Sequence, residues 1–355
     1  MEKSKRPNWA KLIYTKSQVI KAGKVIRQQN VATEEYTNAL EIIDNWRASH
    51  AYPMYIFFMH LKRMTKNQDC IVAQRLKRLD SITTKLQRQP TMSLWSMQDL
   101  GGCRLIVSTI DDVYTNVEKY RNSRKRHMRQ EHLCKDYIKH PKLSGYRGIH
   151  EIYQYHSDKR EDYNDNFLIE LQFRTKLQHL WATAVESMGL FTQQAIKSGQ
   201  GTKDVNRFFA LISSLFAREE CQPLVPNTPE DVESTIREIR FLDKKNNYLE
   251  MLNVITGMVR IEDRIRKQSK AEKNGYYILI LNYKQKVLNY KYYPASQIEE
   301  ANKVYTRIEQ SKKQAELDAV LVMVSSFDNL KDAYPNYFAD ISEFIKRVKS
   351  YIITE

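Results

Sequence analysis

The sequence has 355 residues, of which 42% are hydrophobic and 28% charged, and its formal net charge is +15 at pH 7. That length provides a substantial core and favours two domains over one. No window approaches eighteen apolar residues and the N-terminus lacks an apolar signal stretch, so we expect neither a membrane span nor a signal peptide. The four cysteines lie far apart without a CxxC pair, which argues against a zinc site or disulfide framework and favours the cytoplasm.

The positive charge is concentrated in two segments. Residues 1–30 contain eight lysines and arginines against one acidic residue, and residues 121–129 have the sequence RNSRKRHMR. Such clusters favour contact with a polyanion, either nucleotide phosphates or a nucleic acid. A solvated basic surface is the alternative.

The predicted elements begin with helices over 31–60, interrupted at Pro53, and over 69–88. A buried strand over 103–108 follows the turn signal DLGG, and a helix over 111–122 begins at an Asp cap. Next come strands over 149–157 and 167–175, joined by a charged hairpin, and a long helix over 176–196.

Three domains are predicted along the chain. Residues 1–215 form an α+β domain with a small mixed sheet flanked by helices. Three prolines in CQPLVPNTPED then mark a break, and residues 216–268 form a helical linker. Residues 269–355 form a small C-terminal α/β domain with the order β-β-α-β-α, including a helix over 296–317 and a strand over 319–326.

Two carboxylates are candidate metal ligands. Asp99 stands just before the strand GGCRLIV, and Glu170 lies within the apolar run FLIELQF. An acid buried in a strand requires a partner. Two carboxylates on neighbouring strands suit Mg²⁺ shared with substrate phosphates. Pairing with Arg104 or Arg174 is the alternative.

A stripe of cationic and hydroxyl side chains is predicted within RLKRLDSITTKLQR, residues 75–88. On a helix, Lys77, Ser81 and Lys85 recur every four residues, with Arg75 and Arg78 beside them. Such a stripe suits a triphosphate. An exposed helix face is the alternative.

Four ordered blocks carry a resemblance to a known family. They are RLKR with its helix, QDLGGCRLIV, KDYIKHPKLSGYRGIH, and IELQFRT followed by WATAVES. Over residues 40–200 the chain resembles the synthetase domain of the RelA/SpoT family, the alarmone synthetases, which implies a nucleotidyltransferase-like fold. It is most similar to the single-domain synthetases, because no His-Asp pair precedes the blocks, and hydrolase activity is not expected.

The resemblance implies an ATP-binding site. Family members transfer the β,γ-pyrophosphate of ATP to a ribose 3′-hydroxyl. Arg75 and Arg104 match the arginines that sandwich adenine. The residues that match the phosphate-binding stripe are Lys77, Ser81 and Lys85. Asp99 and Glu170 match the Mg²⁺ ligands, and Glu170 is also the candidate general base.

The resemblance also implies an acceptor site. Tyr146 matches the tyrosine that stacks on the acceptor base, and Gly145 allows the loop to turn tightly beside it. The residues expected around the acceptor's phosphates and ribose are Lys135, Lys142 and His150. Gln172 and Arg174 match a polar pair on the metal-bearing strand. Glu186 is a weaker catalytic candidate, because it stands five residues after Trp181 where the family has four, a rotation of roughly 100° on a helix.

The family offers two acceptor classes. One is a free nucleotide, GDP, GTP or an adenine nucleotide, which gives an alarmone. The other is the 3′-terminal adenosine of tRNA, which is the acceptor of family members that act as toxins and halt translation. Some of these toxins are inhibited by an antitoxin, and some serve in phage defence. The basic segments suit RNA and predict a steep salt dependence if RNA binds. A non-enzymatic RNA-binding protein on a decayed synthetase fold is a further alternative, which the intact set of site residues opposes.

The C-terminal domain is predicted to regulate the synthetase. Its tyrosines in NYKYYP, residues 289–294, are candidates for insertion into a purine-stacking pocket, released by a protein or nucleotide trigger. Packing of these tyrosines on their own sheet is the alternative. The sequence is also compatible with a homo-oligomer.

Overall fold

The structure is a computed structural model in which mixed α and β elements surround one sheet. Among the described residues, no helix is long and apolar enough to cross a membrane. The described residues are 8–28, 33–124, 126–164, 166–192, 202–256, 260–261, 275–282, 285, 287–311, 317–324, 327–338 and 341–352.

Helices lie on both sides of the sheet. In chain order they are α1 Lys16–Val25, α2 Thr33–Ser49, α3 Ala51–Met64, α4 Leu79–Arg88, α5 Ile110–Arg121, α6 Lys176–Thr192, α7 Lys203–Glu219, α8 Val232–Asn246, α9 Tyr248–Thr256, α10 Ile298–Glu309, α11 Phe327–Ala333, α12 Pro335–Phe338 and α13 Ser342–Ile352. Pro53 lies in the first turn of α3, where the missing N–H costs little, so the helix restarts there.

The described strands form one ten-stranded sheet with the order β3-β5-β6-β2-β1-β10-β8-β9-β7, and β4 pairs with β5. The β2–β6 and β7–β9 pairs are parallel and the others antiparallel. The strands are β1 Ile71–Leu76, β2 Gly101–Val107, β3 Met128–Arg129, β4 Lys135–Asp136, β5 Ile149–Gln154, β6 Leu168–Thr175, β7 Arg260–Ile261, β8 Gly275–Asn282, β9 Val287–Pro294 and β10 Leu317–Val324.

A mixed sheet flanked by helices confirms the predicted α+β class. The sheet is larger than expected, because β10 from the C-terminal segment pairs with β1, Arg75 opposite Val322 and Gln74 opposite Met323. The strands on the far side of β10 therefore continue the sheet of the first half. The domain boundaries at 215 and 268 stay predictions.

Three apolar clusters cover the sheet. The largest lies on one face, between the sheet and helices α1 to α5 and α10. On the other face, one cluster gathers α6 to α9 and α13, and another gathers α11 and α12 against β8 and β10. The polar face of β1, β2 and β6 lies between these last two clusters.

The predicted helix over 69–88 is wrong for its first half. Ile71–Leu76 is strand β1, paired on one side with β2 and on the other with β10, and α4 begins only at Leu79. Two flanking partners satisfy the backbone of the segment as a strand, which outweighs its helix-like spacing. Arg75 therefore lies on a strand and Lys77 in a turn, not on the helix that carries Ser81 and Lys85.

Two smaller expectations also change. The helix predicted from Asp111 begins at Ile110, and its cap is Thr109, whose hydroxyl accepts from the Asp112 amide. The end of the helix predicted over 176–196 lies outside the described residues beyond 192.

Candidate active site

A cavity opens on the polar face of β1, β2 and β6. The strand register brings its residues together, because Gly102 pairs with both Arg75 and Glu170, and Arg104 pairs with Gln172. A side chain at Gly102 would bring a Cβ to 3.1 Å from the Glu170 carbonyl oxygen, so glycine permits this close strand approach. The lining residues are Ala73, Arg75, Lys77, Asp99, Gly102, Cys103, Arg104, Glu170, Gln172 and Tyr334.

Asp99 holds the two lysines of the predicted phosphate site. Its carboxylate oxygens lie 2.8 Å from Lys77 Nζ and 2.8 Å from Lys85 Nζ. Burial disfavours the charged carboxylate, but the two ammonium groups outweigh burial and hold the pKa of Asp99 well below its usual range. Lys77 comes from the turn after β1 and Lys85 from α4, so the structure brings together residues that the helical stripe prediction placed on one element.

Glu170 belongs to a hydrogen-bonded network on β5 and β6. His150 Nδ1 lies 2.8 Å from Glu170 Oε1, and Gln172 Nε2 donates to Glu170 Oε2 at 2.6 Å. His150 Nε2 lies 2.7 Å from the Tyr146 hydroxyl, to which Arg174 also donates at 3.2 Å. Each predicted residue of this group is therefore in contact with another.

The network keeps His150 charged at neutral pH. Burial disfavours the imidazolium, but the Tyr146 hydroxyl and the Glu170 carboxylate outweigh burial and raise the pKa of His150 to about 9. In the same way, burial opposes the Glu170 carboxylate, but His150 outweighs it and lowers the pKa of Glu170. At pH 7 the pair is an imidazolium donating from Nδ1 to a carboxylate.

The predicted acceptor loop lies beside this network. Gly145 has a φ of +91°, which confirms the tight turn expected at that glycine. Tyr146 is only 5% exposed, and the Lys142 ammonium lies 5.2 Å from its ring centroid and 4.3 Å from that of Tyr137. Lys135 pairs with His150 across β4 and β5. Lys142 thus covers two aromatic rings, one of which, Tyr137, no sequence pattern distinguished.

The other end of the cavity contains Arg75, Arg104 and a tyrosine from the C-terminal segment. Tyr334, 2% exposed, follows α11, and its ring centroid lies 5.9 Å from Arg104 Cζ. Arg104 Nη1 also donates to the Ala333 carbonyl oxygen at 3.3 Å. Burial raises the pKa of Tyr334, against the opposing charges of Arg104 and Arg75. The two predicted adenine-stacking arginines therefore surround a side chain of the same protein.

Two residues of α6 complete this end. Burial opposes the charge of Arg75, but Glu186 is the leading group that outweighs it and raises the pKa of Arg75. His179 Nε2 lies 2.9 Å from the Asp332 carbonyl oxygen, and burial lowers the pKa of His179 so that its imidazole is neutral. Glu186 thus acts electrostatically on the arginine end of the cavity.

The tyrosines predicted to insert into a pocket lie elsewhere. Tyr290 and Tyr292 on β9 pack against the cluster around β8 and β10, and the Tyr292 ring lies 5.1 Å from that of Tyr277. Tyr293 packs on the opposite cluster. These side chains pack on their own sheet because they alternate along a paired strand. The tyrosine in the cavity is Tyr334, which no local motif distinguished.

Three cations of the second basic segment, and one described cation of the first, pair with acidic side chains of the protein. Arg121 and Arg129 both bind the buried Glu151, at 2.6 and 2.5 Å, and Arg126 lies 2.7 Å from Asp158. In the first segment, Lys11 lies 3.3 Å from Asp162. The formal charge therefore overstates the number of cations available to a polyanion.

The residues fit a hard cation of the kind predicted. Among the described residues, no group of three or more His, Cys, Asp and Glu side chains could hold a metal by itself. Asp99 and Glu170 nevertheless line the same cavity. One or two carboxylates combined with substrate phosphates are the usual ligands of Mg²⁺ in phosphate-transfer sites. Protein oxygens and phosphates would together complete such a site.

Comparison with known proteins confirms the resemblance over the segment that builds the cavity. Residues 74–194 match the family described as the region found in RelA / SpoT proteins. The chain is 32% identical over 127 residues to the GTP pyrophosphokinase YwaC of Bacillus subtilis, covering 35% of this chain and 54% of that protein. It is 31% identical over 119 residues to the GTP pyrophosphokinase YjbM of the same organism, covering 33% and 54%. The chain thus spans about half the length of these curated relatives, and residues 74–194 match a region found in RelA/SpoT proteins.

Solved structures show a partial likeness. Small alarmone synthetase 1 of Bacillus subtilis, bound to its product pppGpp, matches with a TM-score of 0.40 and 23% identity over 49% of this chain and 89% of that chain. A GTP pyrophosphokinase family protein of Streptococcus pneumoniae matches with a TM-score of 0.41 and 22% identity, covering 61% and 98%.

Proposed function

We propose that this protein is an ATP-dependent pyrophosphokinase that transfers the β,γ-pyrophosphate of ATP to a ribose 3′-hydroxyl. The observation that carries the proposal is one cavity, within the RelA/SpoT region, that combines Asp99 and Glu170 with the cations Lys77, Arg75 and Arg104. The identity to two GTP pyrophosphokinases over this region supports the same reaction class.

The cations of the cavity bind ATP in this proposal. Arg75 and Arg104 hold the adenine by stacking, and Lys77, Ser81 and Lys85 bind the phosphates. Lys77 and Lys85 now bond to Asp99. With these lysines on phosphate oxygens, Asp99 and Glu170 would hold Mg²⁺, which would supply neutralisation of phosphate charge.

Glu170 and His150 act on the acceptor. The 3′-oxygen attacks the β-phosphorus in line with the oxygen that bridges the α- and β-phosphates. The bond between that oxygen and the β-phosphorus breaks, and AMP leaves with the electron pair. Glu170 takes the proton of the hydroxyl. His150, as an imidazolium, orients Glu170 through Nδ1 and holds the Tyr146 hydroxyl through Nε2. Gln172 and Arg174 fix these side chains from the same strand.

A guanine nucleotide is the acceptor that the observations favour. The relatives named GTP pyrophosphokinases point to this class. The pairing of Arg121, Arg126 and Arg129 with acidic residues reduces the support for an extended RNA-binding patch. The net charge of +15 is the observation that keeps tRNA as a second acceptor, in which case the enzyme would block translation as a toxin, with a role in phage defence.

The C-terminal segment regulates this activity by occupying the adenine position. Tyr334 lies against Arg104 within the cavity, where a purine ring would otherwise stack. Tyr334 follows the last turn of α11, and hydrogen bonds from Arg104 to Ala333 and from His179 to Asp332 hold that turn in place. ATP and this turn therefore compete for one site, and a protein or nucleotide trigger that withdraws the turn would activate the enzyme.

The test uses ATP labelled on the γ-phosphate, Mg²⁺ and the full-length protein, with GDP, GTP, ATP and bulk tRNA offered separately. Label on GDP or GTP supports the principal proposal, and label on tRNA supports the second acceptor. The Tyr334→Ala variant is assayed in the same way, so that a site blocked by Tyr334 is not mistaken for an inactive one. ATP binding without transfer to any acceptor by either chain would contradict the enzyme and favour a non-enzymatic RNA-binding protein.

A further inference from the structure

The turn between β1 and α4 is held by residues from distant parts of the chain. Leu79, the first residue of α4, donates its backbone N–H to Glu309 Oε1 at 3.0 Å. Glu309 is the last residue of α10, 230 positions further on. Arg78, at the N-cap of α4, directs its guanidinium to Asp318 of β10. Residues of the C-terminal segment thus supply polar contacts that the start of this helix requires.

Glu309 is one half of a buried brace. Its Oε2 lies 2.7 Å from Arg47 Nη1, with side-chain exposures of 6% and 3% for the two residues. Tyr305 donates its hydroxyl to Glu309 Oε1 at 2.9 Å. Arg47 in turn donates from Nε to the carbonyl oxygen of Lys77 at 3.1 Å. One ion pair therefore fixes the backbone on both sides of Arg78.

The braced backbone carries the cations of the phosphate site. Lys77 is itself one of the fixed residues, and Lys85 lies on the helix whose first N–H is bound by Glu309. Both ammonium groups reach Asp99 at 2.8 Å. A carboxylate at a helix N-terminus is also favourable for the helix dipole. A shift of this turn would displace both lysines together, and misplacement by about 1 Å is sufficient to lose on the order of 10² in rate.

We propose that Glu309 is a positioning residue for the ATP phosphate site, acting through Leu79 and through Arg47 on Lys77. This rests on the proposed function, and it gives the C-terminal segment two opposite roles. Tyr334 covers the cavity, whereas Glu309 maintains the geometry of its phosphate-binding end. Deletion of the whole segment would remove both, together with β10, which pairs with β1. The truncated chain would therefore lose activity instead of becoming constitutively active.

The experiment uses full-length chains in two backgrounds, wild type and Tyr334→Ala. Glu309→Ala removes the carboxylate, Glu309→Gln keeps an oxygen acceptor for Leu79, and Glu300→Gln, an exposed site on the same helix, is the matched control. The measurements are the KM for ATP, kcat, and amide hydrogen exchange of residues 79–82. We expect Glu309→Ala to raise the KM for ATP about tenfold and to speed exchange, since a hydrogen bond to a charged group is lost. Glu309→Gln keeps the acceptor for Leu79 but loses the ion pair with Arg47, so we expect it to restore most of the protection from exchange and to raise the KM only about threefold. Glu300→Gln is expected to change neither.

A folded Glu309→Ala chain with unchanged KM and unchanged exchange would overturn the proposal. A lower melting temperature alone, with KM unchanged, would also overturn it, because the residue would then be merely structural. If Glu309→Ala does not fold, Glu309→Gln decides, because it removes the charge that pairs with Arg47 in a buried site and should still raise the KM about threefold; no rise overturns the proposal. If no chain turns over ATP, the proposed function fails, whereas protection of residues 79–82 still reports whether the brace exists.

Discussion

The two ends of the cavity differ in the origin of the groups that fill them. At the end formed by Asp99 and Glu170, the opposing cations are Lys77, Lys85 and His150, all from the first 175 residues. At the arginine end, the side chain that contacts Arg104 is Tyr334, from the last 25 residues. The first end is thus neutralised within the segment that matches the RelA/SpoT family, whereas the second is covered by a separate part of the chain. In the proposed function, chemistry and its control would therefore lie at opposite ends of one cavity.

Glu170→Gln should have the largest effect, because it removes the proton acceptor and a carboxylate oxygen while keeping the shape. We expect pyrophosphate transfer to fall on the order of 10³-fold in the Tyr334→Ala background. Glu186→Gln is the comparison variant, since it removes a carboxylate from the arginine end; it should cost about tenfold or less. Equal losses in the two variants would contradict the division of the cavity. The rate of label transfer to GDP or GTP measures both.

The pH dependence of stability tests His150, which forms an ion pair with Glu170. The pKa of His150 is raised from 6.5 to about 9, so its contribution is fully present below about pH 6.5 and is lost as the pH rises through 9. We expect the free energy of unfolding to fall by about 2–3 kcal/mol between pH 7 and 9.5, since one pKa unit corresponds to about 1.4 kcal/mol. Urea denaturation of wild type and His150→Gln measures this. The same pH dependence in both chains would refute it.

Tyr334→Ala should open the arginine end. Burial of a large side chain contributes about 1.5–3 kcal/mol, so its loss should strengthen ATP binding by about 10- to 100-fold. Tyr292→Ala is the control, because this tyrosine packs on its own sheet. Titration with a non-hydrolysable ATP analogue compares the two. If Tyr292→Ala strengthens binding and Tyr334→Ala does not, regulation by occupation of the cavity is wrong and β9 contains the controlling residue.

The comparison also separates what the sequence could predict from what it could not. Strands β2, β5 and β6 are short apolar runs between turn signals, so local pattern identified them and the residues they carry. The position of β1 depends on a partner almost 250 residues away, and its spacing alone indicated a helix. Tyr334 and Glu309 reach the site only through that pairing. Residues that a sheet assembles over such distances leave no periodic signal in the chain.

The smallest effect is expected outside the cavity, in the basic segment 121–129. Arg126 is 69% exposed and pairs with Asp158, 51% exposed, so water and salt screen its charge. Arg126→Ala should therefore change transfer to GDP or GTP by less than about fivefold, whatever the state of Tyr334. Transfer to tRNA, measured at two salt concentrations, is the informative contrast. A loss on tRNA alone that disappears at high salt would place this segment in contact with a phosphate backbone, and would make tRNA the acceptor that the surface serves.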